Sequence, residues 1–156
     1  PISIGKGEFV LIDFGAQLYG YCSDITRTVV VGGPADARQR EVYGVVERAA
    51  GRARTEMRAG MSGREADALA RDVIDAAGFQ DGFGHSLGHG IGLEVHEAPR
   101  LSRLAEEPLP AGAVVTVEPG IYLQGWGGVR LEDDVHLTAA GPHCLSDGRT
   151  DLLELH

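Results

Sequence analysis

Cysteine is scarce in this chain, with only Cys22 and Cys144 among 156 residues. Their separation fits neither a zinc motif nor a Cys-x-x-Cys redox pair, so a disulfide framework and a cysteine-built metal site are not expected. A reducing cytoplasm is the expected location. Basic residues are also in deficit, 14 against 23 acidic, giving a formal net charge of −9 and a pI near 5.0. Nucleic acid and anionic membrane surfaces are therefore not the expected partners. No apolar run approaches the ~20 residues of a membrane-spanning helix, and the first residues lack the charged-then-apolar order of a secretion signal. Internal repeats, low-complexity tracts and dividing linkers are missing too, so residues 1–156 read as one domain. The chain opens Pro1-Ile2-Ser3-Ile4, without an initiator methionine, and reaches a strand almost at once. That is the pattern expected of a piece of something longer.

What is abundant is glycine, 23 residues, and acid. Surplus acid suits a protein that holds cations, although a solvated surface explains it equally well. The most informative stretch is His85-Ser-Leu-Gly-His89-Gly-Ile-Gly-Leu-Glu-Val-His96-Glu97. Histidine is the commonest metal ligand and titrates near neutral pH, so three in one short stretch point to chemistry. The intervening glycines allow backbone to approach backbone or ligand closely. Any one of these histidines alone would be an ordinary polar residue.

The acidic residues decide the matter. Residues 8–14 read as a strand buried on both faces, Gly15 to Gly20 as a turn, and Tyr21 to Val31 as the returning strand. A loop centred on Leu18-Tyr19 sets Asp13 directly opposite Asp24. Facing carboxylates across a ladder are destabilising unless a cation or a proton intervenes. Farther on, Ala113 to Val117 reads as a buried strand leading into Glu118-Pro119-Gly120, and Val129 to Leu137 as its return after a glycine-rich turn. Centring that turn on Gly125 sets Glu118 opposite Glu132. The same anomaly thus occurs twice.

Between the hairpins, Asp36 caps a helix to about Arg58 with Val42, Val45, Val46, Ala49, Ala53 and Met57 as its apolar stripe. Ser62 and Glu65 form a capping box for a second helix ending at Gly78, with Leu69, Val73 and Ile74 inward. Both helices read as scaffold. Ile91, Leu93 and Val95 alternate as in a short strand, residues 99–112 read as a proline-rich loop, and His89 and His96 need not share a face.

Four carboxylates and a histidine suit two divalent ions, manganese first, with cobalt, iron or zinc as alternatives. The histidine stretch, together with Ile12-Asp13-Phe14-Gly15, Ser23-Asp24-Ile25-Thr26-Arg27-Thr28, Val117-Glu118-Pro119-Gly120-Ile121-Tyr122 and Val129-Arg130-Leu131-Glu132-Asp133-Asp134, resembles the signature blocks of the pita-bread metallopeptidases. The match is to the Xaa-Pro branch of prolidase and aminopeptidase P, and it runs over nearly the whole chain. The resemblance implies an α+β fold, a curved antiparallel sheet flanked by helices, with the opening part of the domain missing. A pocket histidine upstream of the first metal-binding strand, and an N-terminal domain, belong to the family pattern and have no counterpart here.

The resemblance also implies roles. Asp13 would chelate one metal, Asp24 and Glu132 would bridge two, and His89 and Glu118 would complete the coordination of the second ion. Glu118 would also take a proton from the attacking water. His96 would contact the substrate backbone, His85 would line the pocket, and Arg130 would anchor a ligand or a subunit contact. Arg100 is a candidate for a substrate carboxylate, and Thr26 and Tyr122 for support behind the ligands. The implied activity is exopeptidase cleavage of peptides with proline second, by a homodimer in the full-length form. A methionine aminopeptidase-like enzyme, or a catalytically inactive binding module of this fold, remains the alternative.

Overall fold

A computed structural model describes residues 3–146 and 150–156. Two long strands, β1 (Glu8–Leu18) and β2 (Tyr21–Val31), open the fold as an antiparallel hairpin. Two helices follow, α1 (Ala37–Glu56) and α2 (Gly63–Ala76). The remainder is built from short strands: β3 (Gly88–Gly90), β4 (Glu97–Leu101), β5 (Val114–Val117), β6 (Gly120–Leu123), β7 (Gly127–Arg130), β8 (Asp133–Thr138), β9 (Gly141–Cys144) and β10 (Leu153–Leu155). Sheet order is β1-β2-β10, β4-β3-β5-β8-β9 and β6-β7. All pairings are antiparallel except β10, which lies parallel to β2.

Both helices form as their caps dictate. Asp36 and Ser62 each accept from the backbone of the third helical residue, and Gln39 and Glu65 reciprocate. Val42, Val45, Val46, Ala49, Ala53 and Met57 are buried, as the stripe in the sequence predicts. They pack with Leu69, Ile74, Leu101, Leu109, Val115, Val117, Val135 and Leu137 into one core between the helices and the sheets.

Several expectations are corrected. The first turn is the Tyr19-Gly20 pair, both with positive φ, as a two-residue hairpin of inverted turn type requires. Moving the turn by one residue puts Asp13 opposite Thr26 and Asp24 opposite Gly15, instead of opposite each other. Gly15 to Leu18, expected as turn, extends β1. Nor is β1 buried on both faces: Ile12 and Phe14 are 43% and 54% exposed, because no described element covers the outer half of the hairpin. Ile91, Leu93 and Val95 do not form a strand. Leu93 is 64% exposed in a bend that turns the chain back on itself. The stretch expected as loop from residue 99 begins inside β4, an edge strand in which a proline lacking N–H is tolerated.

The second hairpin keeps the predicted register on both sides. Val117 pairs with Asp133 in β5-β8, and Gly120 with Arg130 in β6-β7. Between these ladders both strands break, at 118–119 and at 131–132, and Glu118 and Glu132 sit at the break. The β1-β2 hairpin docks here: Glu132 N–H donates to the Thr26 carbonyl at 3.0 Å, and the Thr28 hydroxyl donates to the Arg130 carbonyl.

Candidate metal centre

Five elements deliver the predicted ligands to one cavity of about 800 Å³. Asp13 and Asp24 come from the hairpin, His89 from β3, Glu118 from the break after β5, and Glu132 from the break before β8. Ligand atoms of Asp24, His89 and Glu132 all lie within 4.8 Å of one another. Glu118 Oε1 stands 3.4 Å from His89 Nε2. Glycine makes this convergence possible: a Cβ at Gly88 would lie 2.0 Å from the Thr116 carbonyl oxygen, and one at Gly90 2.1 Å from that of Ala98. Only without side chains can β3 press so close to both neighbours.

The His89 ring is oriented by its backbone surroundings. Its Nδ1 lies 3.0 Å from the Gly90 carbonyl, so a proton there leaves the Nε2 lone pair facing the carboxylates. Thr116 ties two candidate ligands together, accepting from the His89 N–H at 3.1 Å and donating to Glu118 at 3.2 Å. Thr26 donates to Glu132 Oε2 at 2.5 Å. Arg130 spans the site, donating to Asp13, to the Tyr122 hydroxyl at 3.0 Å and to the Thr26 hydroxyl at 3.2 Å.

The electrostatics match a cation site. Burial pushes the Glu132 carboxyl up to about 8, with the neighbouring Glu118 adding to the rise. Burial likewise brings Glu118 up to about 7, against the lowering influence of Arg130. Asp24 is raised, first by burial and next by Asp13. Carboxylates clustered out of water at such cost are what a divalent ion compensates, and hard oxygen ligands with one imidazole are a fitting donor set.

Behind the ligands stand groups that the sequence reading left unassigned. Asp133, 1% exposed, is gripped by Arg27 from β2 and by Arg54 from α1. Arg27 also donates to the Glu132 carbonyl at 2.6 Å, so the same guanidinium fixes the backbone that carries a ligand. Asp134 accepts from the Asp24 N–H at 3.1 Å. The helices are thus more than scaffold, since α1 reaches the back of the site through Arg54. In the sequence these groups look like ordinary surface charges, Arg54 sitting among several others on α1, and only the fold turns them inward.

Of the other predicted residues, His96 borders the cavity with its ring centroid 4.3 Å from that of His89. The bend at 91–96 brings the two together. Thr26 and Tyr122 contact Arg130 as described. His85, expected to line the pocket beside His96, is half-buried and instead opens on a second cavity of about 540 Å³, with Nδ1 2.8 Å from the Ser86 carbonyl and its pKa lowered chiefly by burial. Arg100 is not brought to the site: it pairs with His89 in the ladder, and its exposed side chain borders a separate hollow beside Pro99 and Glu107.

The chain as a whole is similar to known proteins. The pattern of Metallopeptidase family M24 matches residues 2–139. The chain is 48% identical over 150 residues to an Xaa-Pro dipeptidase of Pyrococcus furiosus, covering 96% of this chain and 43% of that one. Among solved structures, it superposes on an Xaa-Pro dipeptidase from Bacillus anthracis with a TM-score of 0.95 at 49% identity, covering 97% of this chain and 42% of that one. On an X-Pro aminopeptidase from Thermotoga maritima the TM-score is 0.93 at 43% identity, with coverage of 97% and 43%. The chain therefore spans about two fifths of the length of the curated relatives it matches. Its α+β architecture is the pita-bread fold that these structures share.

Proposed function

The chain belongs to metallopeptidase family M24, and on that premise we propose that it carries the metal centre of a dinuclear exopeptidase cleaving Xaa-Pro bonds at peptide N-termini. The observation that carries this reading is the convergence of Asp24, His89 and Glu132 within 4.8 Å, flanked in the same cavity by Asp13 and Glu118. Asp13, Asp24 and Glu132 would hold one ion, and Asp24, Glu132, His89 and Glu118 the other, with manganese the first candidate. Divalent ions held there would polarise the scissile carbonyl and acidify a water between them.

The chain's own residues supply the rest. Glu118, at the cavity wall beside His89, takes a proton from the attacking water and returns it to the departing proline nitrogen. His96, exposed on the cavity wall beside His89, donates to the substrate carbonyl oxygen as charge builds on it. Arg130 steadies Asp13, and Thr26 steadies Glu132. The preference for proline in second position rests on the relatives described as Xaa-Pro dipeptidase and X-Pro aminopeptidase. The full-length form would act as a cytoplasmic homodimer.

The test is hydrolysis of Ala-Pro, Ala-Pro-Ala and Met-Ala with manganese or cobalt. Turnover of the proline peptides supports the proposal. Preferential release of methionine from Met-Ala would overturn it in favour of a methionine aminopeptidase.

A further inference from the structure

Helix α2 contains a buried ion pair that the proposed chemistry does not use. Asp67 is 1% exposed and Arg71 7%. Arg71 Nε donates to Asp67 Oδ2 at 2.6 Å and Nη2 to Oδ1 at 3.0 Å, a two-pronged pairing within one helical turn. Neither side chain stops there. Arg71 Nη1 donates to the Phe83 carbonyl at 2.9 Å, and Nη2 to the His85 carbonyl at 2.8 Å. Asp67 Oδ1 accepts from the Leu87 N–H at 3.0 Å. The guanidinium also lies 4.1 Å over the Phe83 ring, against whose face or edge the His85 imidazole stands at 5.0 Å.

Three alternate residues of one segment, 83, 85 and 87, are therefore pinned to one pair of charges. That segment runs directly into Gly88 and His89. A structural ion pair on a helix needs no contact with a distant loop, and a loop tethered only for stability does not need its successive carbonyls and amide matched in this way. We propose that Asp67 and Arg71 are positioning residues, which hold the 83–87 segment in the one conformation that seats His85 on its own cavity and delivers His89 to the candidate metal site. The inference rests on the metal-centre reading only for the consequence at His89; the tethering of His85 stands apart from it.

The test uses three variants of the full chain: Asp67→Asn, Arg71→Lys, and Asp67→Leu combined with Arg71→Met. The last replaces the pair by apolar side chains of similar volume, an exchange that commonly preserves folding. Near-UV circular dichroism checks the fold, imidazole nitrogen NMR reads the state of His85 and His89, and calorimetric titration reads manganese affinity, with His89→Ala alongside. Positioning predicts folded variants whose His85 ring signals broaden or shift, and whose manganese affinity falls about 10- to 100-fold, the usual cost of losing support behind a ligand. A purely structural pair predicts lower melting temperature with unchanged ring signals and affinity, which would overturn the inference. If the unaltered chain binds no manganese, or His89→Ala binds as well as it does, the metal-centre reading fails. The ring signals then still decide the positioning.

Discussion

Asp13 and Asp24 share one face of the β1-β2 hairpin but are offset by one diagonal step, Asp13 standing opposite Thr26 and Asp24 opposite Gly15. Because side chains alternate with a period of two, shifting the pairing by two keeps both carboxylates on the cavity side, whereas a shift of one would separate them. The offset spares the hairpin a direct like-charge pair, yet Asp13 still contributes to raising Asp24.

The turn sets this register, and its first residue is not well suited to it. Tyr19 holds a φ of 51° and is 94% exposed. Tyr19→Asn gives the Asn-Gly pair that such turns favour, and should stabilise the chain by about 0.5–1 kcal/mol. Urea unfolding checks this: the midpoint should rise with an unchanged slope. An unchanged or lower midpoint would mean that the tyrosine contributes something the turn geometry does not reveal.

Much of the candidate site's convergence was legible because acids recur on facing strands of two hairpins: the Gly125-centred register survives intact in both ladders, and in the first hairpin the two acids stand one diagonal step apart on the same face. The helices were legible from their caps. The first register was misplaced because Tyr-Gly is a weak turn signal beside the Gly15–Gly20 stretch. The groups behind the ligands were illegible for a different reason. Asp67, Asp133, Arg27, Arg54 and Arg71 look like surface charges in sequence, and only tertiary packing turns them inward. The meeting of His89 with His96 depends on a bend, and alternation of Ile91, Leu93 and Val95 argued for a straight strand instead.

Stability should depend on pH in the unusual direction. Glu118 and Glu132 titrate at about 7 and about 8 in the folded chain, against roughly 4.3 for an unfolded glutamate. Between those values the folded chain binds more protons than the unfolded one, so these two groups cost stability as pH rises through the window. Metal-stripped protein should therefore lose urea resistance between about pH 4.5 and 8, and Glu132→Gln should lose less. Added manganese should flatten the decline, since it takes the place of the protons. A wild-type profile that Glu132→Gln leaves unaltered would contradict this.

Removing the charge at Asp133 should be severe. Two arginines, each with a side chain 15% exposed, would be left facing a neutral amide in Asp133→Asn. Losing one partner of a buried ion pair costs about 3–5 kcal/mol. For a chain of this size the melting temperature should fall by roughly 10 °C, at ~2–4 °C per kcal/mol. Arg54→Met should cost less, because Arg27 still holds the carboxylate. Differential scanning calorimetry measures both, and a fall under about 2 °C for Asp133→Asn would show the clamp to be dispensable.

The central claim is that the carboxylates and His89 form one centre for two divalent ions. Metal stoichiometry by equilibrium dialysis with manganese tests it most directly, on the unaltered chain and on Asp24→Ala. The account predicts two ions per folded chain, and at most one when the shared ligand Asp24 is removed. Two ions retained by Asp24→Ala, or none bound by the folded unaltered chain, would contradict it.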